Sequence, residues 1–285
     1  MKISIIIVAY NHYNDLKNCI DSISLYSDLG DELEIIVVDN SPNIDLYDRF
    51  KQEYPHIVIV KNNQNGFGRA NNIGANLSKG EILLFLNPDT LLVKPLFSSI
   101  YDQFSNDNSL GLCGIRLLDE ELKPNLSFYW LDNTSILAQI TIKWYNKRAS
   151  FDDKKMFISG ACMFIRKGTF FDIGGFDEKI FMYVEERDIT RRLLSKGWTI
   201  KYFPQYEVIH LEGGTTGDSL WSFQQRIISN IYYSRKYGFD FKRKYNHERN
   251  LLLIKTVTDF KNRKEYKAML KYLKQKYKEY VIGGI

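Results

Sequence analysis

The stretch LLFLNPDT, Leu83 to Thr90, sets the reading of this chain. Four apolar side chains in succession describe a strand covered on both faces, as in a parallel sheet sandwiched between helices. Pro88 has no N–H to give a further ladder bond, so the strand stops there, directly before Asp89. A buried strand can end in a plain Asn-Pro-Asp turn. It can also hold an acidic group at the carboxyl edge of an open α/β sheet, where such folds place their ligands.

Outward from this strand the chain alternates. Ile3–Ala9 is a β-branched run, and Asn11–Leu25 carries Leu16, Ile20 and Ile23 at helical spacing. A strand at Glu34–Val38 closes on Asp39, a helix around Leu46–Tyr54 leads to a strand at Ile57–Val60, and the turn NQNGFGRANN runs into a helix through Leu77. With Glu81–Leu86 as the fourth strand, the order is βαβαβαβ: a mostly parallel, Rossmann-like α/β sheet flanked by helices and connected right-handedly. Beyond Leu96 the spacing predicts short strands at Gly111–Ile115 and Phe157–Ile165 and helices at Glu185–Ser195 and Ser219–Tyr237. Lys123–Phe151 has no clean period and reads as a substrate-shaping excursion.

The chain has 285 residues, room for a substantial core, and a charge of +5 that is unevenly placed. From Phe241 onward there are 13 Lys/Arg against 4 Asp/Glu, which leaves the first 240 residues with 26 basic and 30 acidic groups. A body of residues 1–240 and a basic tail of 241–285 are therefore expected. Within the tail, Tyr266, Met269, Leu270, Leu273, Tyr277, Tyr280 and Val281 fall on one helical face with lysines opposite. Such a helix either docks on the body or lies on anionic lipid as a peripheral contact. A surplus of positive charge found only at the end, and no nucleic-acid-binding motif, argue against a nucleic-acid partner. Cys19, Cys113 and Cys162 are scattered in apolar surroundings, as expected of reduced, buried thiols. With no signal-like or membrane-spanning run, a cytoplasmic protein is the expectation.

Several polar positions stand at element ends. Asp39 closes VVDNS and can accept from a pyrimidine or ribose; equally, Asp39 or Ser41 can cap the next helix. NGFGRANN has a G-x-G-x-x-N spacing after the third strand, which argues against a dinucleotide fingerprint and leaves a turn bringing Arg69 and Asn71 toward the sheet edge. Asn87 and Asp89 offer oxygen ligands to a hard divalent ion. Glu185, Glu186 and Asp188 crowd one turn at a helix start, where the macrodipole alone favours acids, but the aromatics upstream suggest a pocket wall beside a base. His210 follows another apolar stretch and gains meaning only beside Asp89.

Together and in this order, SIIIVAYN (4–11), VVDNS (37–41), NGFGRANNIGA (65–75), LFLNPDT (84–90), SGACMFIRK (159–167), GGFDEKIFMYVEERD (174–188) and HLEGGTT (210–216) resemble glycosyltransferase family 2. The likeness is to its rhamnosyltransferase-like enzymes of bacterial surface polysaccharides, inverting enzymes of the GT-A fold. The resemblance implies that Ala9, Tyr10, Asn11 and Asp39 hold the nucleotide, with Arg69, Asn71 and Asn87 completing its pocket. It implies that Asp89, matching the last acid of a D-x-D motif, and His210 ligate Mn²⁺ or Mg²⁺. Glu186 matches the general base, with Asp188 as a substitute. The donor would be a UDP- or dTDP-sugar and the acceptor a glycan, lipid-linked in surface-polysaccharide synthesis. Two positions depart from the pattern: Asn87 replaces the first aspartate of D-x-D, and Glu186 stands where aspartate is usual. The second departure leaves open a catalytically silent nucleotide-sugar binder.

Overall fold

The computed structural model describes residues 1–42, 45–62, 66–132, 135–211 and 219–283. Its centre is β1 (Ile3–Ala9), whose side chains are buried alternately on the two faces of the sheet. Ile3, Ile5 and Ile7 join the core on one face with Leu16, Cys19, Ile20 and Ile23 of α1 (Tyr13–Tyr26), whereas Ile6 joins the core on the other. The pattern repeats in β4 (Ile82–Leu86), with Ile82, Leu84 and Leu86 on the first face and Leu83 and Phe85 on the second. Continuous apolar runs are required here because neither face meets water.

Between these strands lie β2 (Leu33–Asp39), α2 (Asp45–Glu53), β3 (Val58–Lys61) and α3 (Phe67–Leu77). After them come β5 (Thr90–Leu92), α4 (Phe97–Asn106), β6 (Leu110–Leu118), β7 (Phe128–Trp130) and α5 (Ile136–Lys147). The body closes with β8 (Met156–Ile158), β9 (Cys162–Arg166), α6 (Lys167–Asp172), α7 (Glu185–Ser195) and β10 (Thr199–His210). The main sheet has eight strands in the order β3-β2-β1-β4-β9-β6-β10-β5. β3, β2, β1 and β4 run parallel, β9 runs against both β4 and β6, and β10 runs parallel to β6. The carboxyl ends of β1 to β4 and of β10 therefore meet at one edge, and β9 begins there.

Two expectations need correction. Phe157–Ile165 is not one strand: β8 pairs with β7 in a separate two-stranded sheet, and β9 starts after Gly160. Lys123–Phe151 is not without period, for it contains β7 and α5, and Trp130 packs edge-on against Tyr145. Single-chain periodicity misses such pieces because a three-residue strand has too few positions to show alternation.

The chain ends in α8 (Leu220–Tyr237), α9 (Phe241–Thr258) and α10 (Arg263–Ile282). Ser219 caps α8 by accepting from Ser222 N, and Gly238, at φ 68°, ends it in the left-handed conformation that glycine adopts without strain. Phe223 and Ile227 of α8, Phe241 and Leu252 of α9, and Tyr266, Met269, Leu270 and Leu273 of α10 share one core. The apolar face of α10 is therefore spent inside a three-helix bundle, so of the two expected settings for this face the structure has the docked one. Among the described residues no helix is long and apolar enough to cross a membrane.

Candidate active site

The sheet edge brings Asp89 and His210 together. Asp89 follows β4 in the turn that Pro88 enforces, and His210 is the last residue of β10, whose neighbour β5 begins at Thr90 and pairs with it at that point. Leu211 N donates to Asp89 O at 2.9 Å, and Asp89 Oδ1 lies 3.4 Å from His210 Nε2, both side chains mostly shielded from water. Two atoms bound cis to one octahedral ion at about 2.1 Å each sit about 3 Å apart. The pair thus fits as two ligands of a divalent ion. Among the described residues no third His, Cys, Asp or Glu joins them to form a metal cluster, and Glu212 to Thr216 of the HLEGGTT segment lie outside the described residues, as does Asn65.

Asn87 contributes its backbone. Its N–H donates to Ala161 O at 2.9 Å, and its carbonyl accepts from Thr90 Oγ1 at 2.7 Å. This joins the Asp89 turn to the Gly160–Ala161 corner ahead of β9. Against that corner lies Glu186: a Cβ added to Gly160 would come within 3.1 Å of Glu186 Cδ, and closer still to Oε1. Burial pushes the Glu186 carboxyl above its ordinary value, and N–H groups of Glu186 itself and of Gly160 pull partly back. An acid of raised pKa beside the Asp89 turn is suited to accepting a proton.

Behind it, Glu185 is 3% exposed and its Oε1 has no hydrogen-bond partner. Burial first, then the neighbouring charge of Glu186, holds the Glu185 carboxyl well above its usual range. The turn aiming these acids is strained, with Tyr183 and Val184 both at positive φ, 69° and 66°. Each such residue costs on the order of 1–3 kcal/mol and persists only where surroundings over-determine it. Here Met182 O accepts from Ser229 Oγ of α8 at 2.7 Å, and Ile180 and Val184 pack on Tyr233.

Asp188 has a different role from the one expected. It is fully buried, and it accepts from Arg192 Nε at 2.8 Å, Tyr237 OH at 2.8 Å and Lys236 Nζ. Both oxygens are engaged, so it ties α7 to α8 and is not placed to act as a substitute base.

At the other end of the edge, Ala9, Asp39 and Lys61 stand opposite one another on β1, β2 and β3. Asp39 is buried; Oδ1 accepts from Ser41 N and Oδ2 from Lys61 Nζ, each at 2.8 Å. Ser41 Oγ accepts from Asn11 N at 2.8 Å, and Asn11 itself sits at φ 58°. Asn62 Nδ2 donates to Asn40 Oδ1 at 2.6 Å. This network fixes the loop after β1, with the Tyr10 ring 42% exposed above it. Lys61, Asn40 and Asn62 escape a sequence reading because each acquires its partner only across strands.

Arg69 and Asn71 diverge. Arg69 is half exposed and lies 3.8 Å from Glu178, whereas Asn71 is buried and its Nδ2 donates to Phe67 O within its own helix. Asn71 therefore holds α3, and the neighbouring Asn72 clamps the backbone of Phe176 at both its N–H and its carbonyl. Gly66, at φ 87°, permits a close backbone approach: an added Cβ would lie 2.5 Å from Phe181 O, which accepts from Phe67 N. Gly66 and Phe67 are thereby pinned to the segment that leads into Glu186.

The family model for glycosyl transferase family 2 matches residues 4–174. The rhamnosyltransferase WbbL of Escherichia coli (strain K12) is 25% identical over 222 residues, 72% of this chain and 82% of that one. Among solved structures, GalNAc-T7 with UDP, GalNAc and Mn²⁺ superposes with a TM-score of 0.61 at 14% identity, covering 96% of this chain but only 54% of that one. The mannosyltransferase PcManGT from Pyrobaculum calidifontis, in complex with GDP-Man and Mn²⁺, gives 0.58 at 14% identity, covering 100% and 76%. The fold is GT-A.

Proposed function

Because the chain belongs to glycosyl transferase family 2, we propose that it moves a hexose from a nucleoside-diphosphate sugar to a hydroxyl of a growing, lipid-linked bacterial surface glycan, with inversion at the anomeric carbon. The observation that carries this reading is the 3.4 Å approach of Asp89 and His210 at the sheet edge, with Glu186 against the adjoining Gly160 corner. Mn²⁺ or Mg²⁺ would be held by these two side chains and, when bound, supplies charge neutralisation to the departing diphosphate. The Asp39–Ser41–Asn11 loop presents a fixed backbone to the base and ribose. Glu186 accepts the proton of the attacking hydroxyl as that oxygen bonds to the anomeric carbon and the diphosphate leaves from the opposite face. Burial favours the neutral form of Glu185 more strongly than that of Glu186, which makes Glu186 the readier of the two to ionise.

The likeness to a rhamnosyltransferase favours a dTDP-sugar donor, dTDP-rhamnose among them. The test compares wild type, Asp89→Ala and His210→Ala with UDP- and dTDP-sugars, with and without Mn²⁺. Transfer should require the cation and vanish in Asp89→Ala. Near-normal turnover by that variant, or metal-independent transfer by wild type, would remove the metal from the scheme. Donor binding without transfer or hydrolysis would leave a silent binder.

A further inference from the structure

We infer that the elbow between α9 and α10 is a docking surface for an anionic lipid bilayer. Because the apolar side of α10 is consumed in the helical bundle, a lipid contact must use another surface. Leu253, Ile254 and Val257 form a continuous outward row on the last turns of α9, and Phe260 extends it into the turn; Val257 and Phe260 are 67% and 73% exposed. Exposed apolar side chains grouped on one surface, rather than scattered singly, point to an interaction site.

Charge identifies the occupant. Lys261, Arg263, Lys264 and Lys267 are exposed around the row, and residues 253–267 hold five Lys/Arg against two Asp/Glu. Both acids are already engaged: Asp259 accepts from Tyr266 OH and Asn262, and Glu265 accepts from Leu220 N. Large apolar side chains rimmed by cations suit the boundary between acyl chains and anionic headgroups.

The location fits as well. The Leu220–Glu265 bond, at 2.8 Å, places the elbow end of the bundle beside the first turn of α8. That turn carries Trp221, which meets Phe181 edge-on at 6.3 Å, and Phe181 adjoins Gly66 at the candidate site. The elbow thus lies at the end of the bundle nearest the site, where an acceptor anchored in a bilayer would arrive. This deepens the lipid-linked reading of the acceptor, while its test does not pass through catalysis.

The test is co-sedimentation of the full chain with vesicles of phosphatidylglycerol and phosphatidylcholine, or of phosphatidylcholine alone. Wild type should bind the anionic vesicles and be released by salt. A variant combining Leu253→Ser, Ile254→Ser, Val257→Ser and Phe260→Ser should bind about tenfold or more weakly, and one combining Lys261→Glu, Arg263→Glu and Lys264→Glu should fall similarly. All seven positions are exposed, so unchanged circular dichroism and Tm verify the fold. Undiminished binding by the first variant overturns the inference. So does loss confined to a variant of the exposed α5 row (Leu137→Ser, Ile140→Ser, Trp144→Ser), or a wild type that self-associates through the elbow and ignores vesicles. Vesicle binding by a wild type that binds no nucleotide sinks the transferase reading and leaves this one standing.

Discussion

Replacing Gly160 by alanine isolates the placement of Glu186 from its chemistry. A Cβ at Gly160 would stand 3.1 Å from Glu186 Cδ and Cγ, whereas carbon atoms settle at about 3.5–4.0 Å. Glu186 Oε1 would be nearer still, at 2.2 Å, where a carbon and an oxygen settle at about 3.3–3.6 Å, so the carboxylate must retreat by about 1 Å or more, and it loses its close approach to the Gly160 N–H. The obstacle is the far end of a flexible side chain, so the backbone need not move and stability should change little. A shift of this order in a reacting group can cost about 10²-fold, equivalent to about 2.7 kcal/mol in the barrier. The assay is the initial rate of sugar transfer at saturating donor, with donor affinity by calorimetry and Tm measured in parallel. Gly160→Ala should lose about two orders of magnitude in kcat with donor Kd and Tm unchanged. A rate within twofold of wild type would refute the placement of Glu186 as the base. A rate lost together with the fold would refute the claim that only a side chain yields.

Asp188→Asn should behave in the opposite way: breaking a buried charge network held by Arg192, Lys236 and Tyr237 should cost about 3–5 kcal/mol, read as a lower urea midpoint, whereas Glu186→Gln should keep the midpoint and lose transfer. Glu185 binds a proton more tightly folded than unfolded, so its contribution to stability is full below the ordinary carboxylate pKa and is lost as pH rises toward its raised value. Glu185→Gln should therefore flatten that decline and raise Tm at alkaline pH; an unaltered Tm profile would mean the acid is not strained by burial. Because Glu186 is likewise raised, the acidic limb of the wild-type kcat profile should lie above the ordinary glutamate range, and a limb at or below that range would refute Glu186 as the base. Gly66→Ala, at φ 87° and 2.5 Å from Phe181 O, meets backbone on backbone and should lower Tm markedly; a Tm equal to wild type would show that the two segments are not pinned together.

The local pattern of the chain was enough to define the first half of the fold. β1 spans the run Ile3–Ala9, α3 ends at Leu77 as expected, α7 spans Glu185–Ser195 as its spacing predicts, and Gly238 closes α8. These elements announce themselves because burial on two faces, or on one helical stripe, imposes a period on consecutive residues. The Asp89 position was legible for the same reason: a fully apolar strand halted by proline has one place to put its last polar residue. What adjacency in sequence cannot encode is which distant ends converge. His210 is joined to Asp89 only by β10 pairing with β5, Lys61 to Asp39 only by β2 lying beside β3, and Glu186 to Gly160 only by α7 packing near β8 and β9. Three acids within one turn of α7 look equivalent in the sequence. Tertiary structure separates them, burying one with an unsatisfied oxygen, engaging both oxygens of another with Arg192, Lys236 and Tyr237, and leaving Glu186 at the corner beside the Asp89 turn. The reason is that charge and solvent are set by neighbours in space, and those neighbours come from the whole sheet.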